Sequence, residues 1–205
     1  MVRFKVYADT PHKRSIDRAV AALKEGQLII YPTDTVYGLG GDLFQKRAIE
    51  QIYRIKGKTK YEPLSIICHS IQQASQYGKI SNFAFRIIKR CTPGPYTFIL
   101  EATREIPKLM LSRRKEVGIR IPDSAVVQAI VASLGHPLVN SSITLQEDEV
   151  LNDPDEIARR FEHQVAVLLD AGTLPDPRDS TIVKMMHQEI EIIREGKGDL
   201  DCLYY

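Results

Sequence analysis

The sequence predicts a single α/β domain over residues 1–205, with a twisted, mixed sheet and flanking helices. Three observations carry that prediction. Short apolar runs rich in β-branched residues alternate with segments of helical spacing along the whole chain. The last two runs, residues 180–185 and 189–194, lie close enough to form an antiparallel hairpin, which makes the sheet mixed. Hydrophobic residues make up 43% of the 205, ample for one large core.

In chain order, residues 4–8 read as a first strand and residues 15–24 as a helix. That helix carries Ile16, Ala19, Val20 and Leu23 on one face and stops near Gly26. Residues 27–31 form a short inner strand that opens into YPTDTVYGLG at 31–40. There Pro32 cannot donate to a ladder, and Gly38 and Gly40 permit close backbone approach. Thr33, Asp34 and Thr35 either line a ligand pocket at the strand end or satisfy nearby backbone groups. Helical spacing returns over 46–55, and Lys56, Lys58 and Lys60 then alternate in a basic loop before a strand at 65–68. Lysines so placed either hold phosphates or form a solvated surface.

Residues 80–91 read as a helix ended by TPGP at 92–95, with a strand at 96–100. A cationic turn of Ser112, Arg113, Arg114 and Lys115 leads into a strand segment at 117–122 that contains Arg120. An inward arginine needs an anion, supplied by the fold or by a substrate. Residues 124–134 form a helix closed by Gly135, and Asn140, Ser141, Ser142 and Thr144 crowd the end of the next strand. Asp153 and Pro154 mark a further helix start, and residues 165–170 a further strand.

Composition narrows the functional classes. Cys68, Cys91 and Cys202 are far apart and lack metal-ligand spacing, so neither a disulfide framework nor a zinc site is expected, and the expected compartment is the cytoplasm. Residues 1–30 are charged throughout and predict neither signal peptide nor membrane anchor. No Walker or Rossmann glycine fingerprint occurs, so a nucleotide site has to use strand ends and basic loops. The net charge of +2 conceals an asymmetry: residues 54–120 hold 14 Lys/Arg against 4 Asp/Glu, and residues 146–201 hold 6 against 15. The basic middle either suits phosphate-bearing partners, nucleotide or RNA, or consists of solvated helix faces offset by the acidic segment.

Seven landmarks stand in one order along the chain: YPTDTVYGLG at 31–40, KGK at 56–58 before PL at 63–64, PGPYTFIL at 93–100, VGIRIP at 117–122, PL at 137–138 leading to Ser142, STIV at 180–183 and IREG at 193–196. Together they resemble the YrdC/YciO family, whose better-known members make threonylcarbamoyl-adenylate for tRNA modification. The resemblance implies a YrdC-like fold with a large basic cavity, ending where the short members end. It places Thr35, Arg120 and Ser180 on the amino-acid substrate, threonine in the synthetases. Lys56, Lys58, Ser142 and Arg194 fall at nucleotide positions, and Lys56, Lys58 and Arg120 are the implied catalytic groups. Arg120 would fork a carboxylate, while the lysines and Arg194 offset charge as a carbamate oxygen attacks the α-phosphorus and pyrophosphate leaves.

The implied reactants are ATP, bicarbonate and an amino acid, with Mg2+ carried on the ATP phosphates and no metal site in the protein. The hydroxyls of Thr35, Ser142 and Ser180 should then line one cavity, with Lys56, Arg120 and Arg194 around its rim. Several positions depart from the synthetases. Lys58 and Thr59 replace their Arg-Pro, Glu62 an asparagine, Ile67 a histidine and Thr144 an asparagine, a pattern that looks like the YciO branch. The alternative is a non-catalytic binder of double-stranded RNA or tRNA that uses the same cavity with Arg113, Arg114 and Lys115.

Overall fold

Helix ends follow local chemistry in the computed structural model, which describes residues 1–57, 64–111, 115–143 and 150–204. The chain runs β1 (Val2–Lys5), α1 (Lys13–Lys24), β2 (Ile29–Tyr31), β3 (Gly38–Asp42), α2 (Lys46–Ile55), β4 (Ser65–Ile67), α3 (Ile71–Tyr77), α4 (Asn82–Cys91), β5 (Tyr96–Glu101), β6 (Glu116–Arg120), α5 (Ala125–Leu134), β7 (Leu138–Ser142), α6 (Pro154–Phe161), β8 (Val167–Asp170), β9 (Thr181–Met186), β10 (Glu189–Arg194) and α7 (Asp201–Tyr204). Ser81 caps α4 by accepting from the Ala84 N–H, and Asp153 caps α6 by accepting from Asp155. Gly135, at φ 85°, closes α5 in the left-handed conformation that costs glycine nothing.

The strands form one mixed sheet in the order β1-β8-β2-β3-β7-β4-β6-β5-β9-β10. Parallel contacts join β1 to β8, β8 to β2, β4 to β6 and β5 to β9, and the other neighbours are antiparallel. Each face has its own core. Ile16, Val20 and Leu23 of α1 and Val127, Ile130 and Val131 of α5 pack on one side over Ile29, Ile67 and Leu138. Ile49 and Ile52 of α2 and Ile87 and Ile88 of α4 pack on the other over Leu39, Ile66, Phe98 and Ile119. Among the described residues no helix is long and apolar enough to cross a membrane.

Several boundaries differ from expectation. The first strand is Val2–Lys5 rather than residues 4–8, because pairing with β8 sets its limits. α4 begins at Asn82 rather than residue 80, where the Ser81 cap defines the turn. The glycines of residues 38–41 are a central strand, not a loop. A Cβ on Gly38 or Gly40 would stand 2.7 or 2.6 Å from the Tyr31 ring, and one on Gly41 2.8 Å from the Ala48 methyl. Bare backbone is what lets Tyr31 lie across β3 on one face and α2 press on the other.

Candidate functional site

Strand register puts a polar row on the face that α1 and α5 cover. Residues paired across neighbouring strands project to the same side. Tyr31 pairs with Gly38, Gly38 with Ser142, Asn140 with Ser65, Ser65 with Gly118, Thr97 with Ile182 and Ile182 with Arg194. Arg120, two residues after Gly118, shares that side. The helices stop short of the row's far part, where Ser65, Ile99, Ser142, Ile182 and Lys184 are all partly exposed. The candidate site is this uncovered stretch.

The β2–β3 connection forms its deepest corner. Thr33 Oγ1 donates to the Val36 carbonyl at 2.6 Å and lies 2.9 Å from Thr35 Oγ1, which fixes a tight turn. The turn presents Asp34 to Arg120, whose Nη2 donates to Asp34 Oδ1 at 2.8 Å and to Thr35 Oγ1 at 3.1 Å. Asp34 Oδ2 also accepts from the Asp123 N–H just ahead of α5, so one carboxylate ties three elements together. Arg120 is 5% exposed, and its Nε is buried without a hydrogen-bond partner among the described residues. Burial pulls this guanidinium below its ordinary pKa; Asp34, Tyr31 and Asp179 pull it back up, and Arg194 opposes them.

A second cluster stands where β5, β9 and β10 meet. The hydroxyls of Thr97 and Ser180 are 2.8 Å apart, and both residues are buried. Arg194 donates from Nε and Nη2 to the Ser180 carbonyl at 3.2 and 3.0 Å, and from Nη1 to Asp179 Oδ2 at 3.1 Å. At the opposite end Lys56 Nζ donates to the Ser142 carbonyl at 3.0 Å. A buried chain leads toward that end, from Tyr31 Oη to Asn140 Oδ1 at 2.7 Å and from Asn140 Nδ2 to Ser65 Oγ at 3.1 Å. Burial pushes the Tyr31 phenol well above its usual pKa, so it acts as a neutral donor.

The fold therefore brings Thr35 to Arg120 and Ser180 to Arg194 on one face, and Lys56, which follows α2 from the other face, to the Ser142 main chain at a strand end. Arg120 lies at the bottom rather than the rim, because its anion is the structural carboxylate of Asp34. Lys58, Glu62, Arg113, Arg114 and Thr144 lie outside the described residues. Ile67, one of the expected departures, is fully buried among α1 and α5 side chains beside Arg120. The sequence reading gave no partner to Asp34 and passed over Asp179 and Thr97. Their signal was position: Asp34 inside YPTDT, Asp179 directly before STIV, Thr97 inside PGPYTFIL. Among the described residues no three His, Cys, Asp or Glu side chains gather where they could hold a metal ion.

A mixed sheet of this order with hydroxyls and arginines gathered at its strand ends defines the class. The family model of Sua5, YciO and YrdC, described as "Telomere recombination", matches residues 21–196, and the chain belongs to that family. It is 36% identical over 199 residues to the uncharacterized protein YciO of Escherichia coli, covering 96% of each chain. The crystal structure of E. coli YciO superposes with a TM-score of 0.93, at 35% identity and 98% of both chains. The threonylcarbamoyl-AMP synthase of Vibrio vulnificus is 29% identical over 158 residues, 76% of this chain and 85% of that one. The crystal structure of P. abyssi Sua5 complexed with L-threonine shares the fold, with a TM-score of 0.88 at 24% identity over 96% of this chain and 58% of that one.

Proposed function

We propose that this chain is a YciO-type carbamoyl-adenylate synthase. It forms L-threonylcarbamoyl-adenylate, or the adduct of a related amino acid, from amino acid, bicarbonate and ATP. The observation that carries this reading is Arg120, buried beside Thr35 with an unused Nε–H. A buried donor left without an acceptor costs about 1–3 kcal/mol, and a substrate carboxylate is the oxygen group best matched to a guanidinium edge. Ser180 and Thr97 offer hydroxyls to the same ligand.

In this reading the amino nitrogen adds to CO2 derived from bicarbonate and gives up a proton. A carbamate oxygen then attacks the α-phosphorus of ATP, and the bond to pyrophosphate breaks. Lys56 and Arg194 offset the charge that gathers on the phosphates, with Lys58 assigned to the same task by resemblance. Mg2+ arrives on the nucleotide. The Vibrio vulnificus relative is named for this product, which supports the assignment.

The test is purified protein with ATP, bicarbonate and each amino acid in turn, followed for pyrophosphate. Release that needs both threonine and bicarbonate is the expected result, and no amino-acid-dependent release above the ATP blank would refute catalysis. A second reading, binding of double-stranded RNA or tRNA, is favoured by the exposed Arg86, Lys89 and Arg90 of α4. That helix packs on the opposite face of the sheet, so RNA held there would bind with a steep salt dependence that Arg120 variants leave unchanged.

A further inference from the structure

We propose that Asp179 is a counter-ion latch on Arg194 that sets how readily the site accepts a phosphate-bearing ligand. The inference rests on the nucleotide reading above and names a residue that reading does not use.

Arg194 ends β10 at a break in register, where the pairing steps from Ile192 opposite Val183 to Arg194 opposite Ile182. A bulge of this kind re-aims a side chain, and here the guanidinium turns onto residues 179–180. Nη1 meets Asp179 Oδ2 at 3.1 Å, Nε and Nη2 both meet the Ser180 carbonyl, and Nη2 lies 3.5 Å from Ser180 Oγ. Every nitrogen of the fork thus has a protein acceptor. Asp179 is itself pinned: its carbonyl accepts from the Lys197 N–H at 2.8 Å, and a Cβ on Gly196 would stand 2.4 Å from that oxygen. The main chain at 179 is held in place, so the latch opens by rotation of the Asp179 carboxylate or by movement of Arg194.

Both side chains also belong to the electrostatics of the site, since they act on Arg120 with opposite sign. The pair is part exposed, 40% for Arg194 and 23% for Asp179. An ion pair at that exposure is weak enough for a competing anion to break. A phosphate that recruits Arg194 gains a charge-assisted, two-pronged contact but first displaces a carboxylate and then sits beside it. Removing the negative charge at position 179 while keeping the side-chain shape should therefore release Arg194 to the ligand.

The experiment is calorimetric titration of Mg-ATP and of inorganic pyrophosphate into wild type, Asp179→Asn, Arg194→Ala and the double variant. Asp179→Ser repeats the charge removal with a smaller side chain, and both leave the backbone contact to Lys197 in place. Asp179→Asn should tighten both ligands by about 1.5- to 5-fold at low salt, the size expected for a part-exposed ion pair. Arg194→Ala should weaken them, and the double variant should match Arg194→Ala because nothing remains to be released. Wild-type affinity in both charge-removal variants would overturn the latch, as would an equal gain in the Arg194→Ala background, which marks a diffuse charge effect. If neither wild type nor Asp179→Asn binds either ligand, the nucleotide reading itself falls and takes the latch with it.

Discussion

The two ends of the site are built differently. At the Arg120 end, the buried guanidinium is bonded to Asp34 and Thr35, Asp34 is bonded in turn to the main chain ahead of α5, and the buried hydroxyls of Thr97 and Ser180 form a second bonded pair. At the Lys56 end, the described contact is a part-exposed ammonium reaching a main-chain carbonyl at the close of β7. The first end ties several elements together through buried side chains, whereas the second meets the main chain at the close of the central strand β7. Groups of the first kind hold fixed geometry for a small ligand, and groups of the second kind give charge at little structural cost.

Breaking the buried end should have the largest effect. Arg120→Ala leaves the Asp34 carboxylate buried and unpaired, and should cost about 3–5 kcal/mol in urea unfolding. Replacing both partners, as Arg120→Met with Asp34→Leu, should recover most of that stability, since apolar pairs of similar volume substitute well for buried ions. If the double variant is as unstable as the single, the contact to Asp123 matters more than the ion pair does. Gly40→Ala should follow at about 1–3 kcal/mol, because its Cβ would meet the Tyr31 ring at 2.6 Å. A neutral result in thermal melting would show that Tyr31 can swing aside.

These residues also show how far the sequence could be read. The YPTDT stretch announced a polar strand end, and Arg120 within an apolar strand announced a buried anion, so this corner was legible. That the anion is Asp34 was not, because their meeting depends on β6 lying several strands away from β2 in the sheet. The glycine strand at 38–42 was missed for a related reason. Local propensity argues against it, and only the Tyr31 ring and α2 on its two faces explain it. Asp179 carried no signal beyond its place before Ser180, and a one-residue bulge in β10 gave it Arg194.

Smaller effects sharpen the contrast. Tyr31→Phe removes the donor to Asn140 Oδ1 and should cost about 1–2 kcal/mol, with the loss read in the same unfolding series. Lys56→Ala should cost about 1 kcal/mol or less in stability yet weaken ATP in calorimetry, separating charge supply from fold. A large stability loss there would place Lys56 with the buried end instead.

One titration bears most directly on the carboxylate-receiving role proposed for Arg120. L-Threoninol carries a neutral hydroxymethyl group in place of the carboxylate of L-threonine, and each can be titrated into wild type and into the Arg120→Met, Asp34→Leu protein. The buried, unpartnered Nε predicts saturable binding of threonine to wild type, none of threoninol, and neither ligand bound by the variant. Equal binding of threonine and threoninol, or threonine binding that survives in the folded variant, would contradict it.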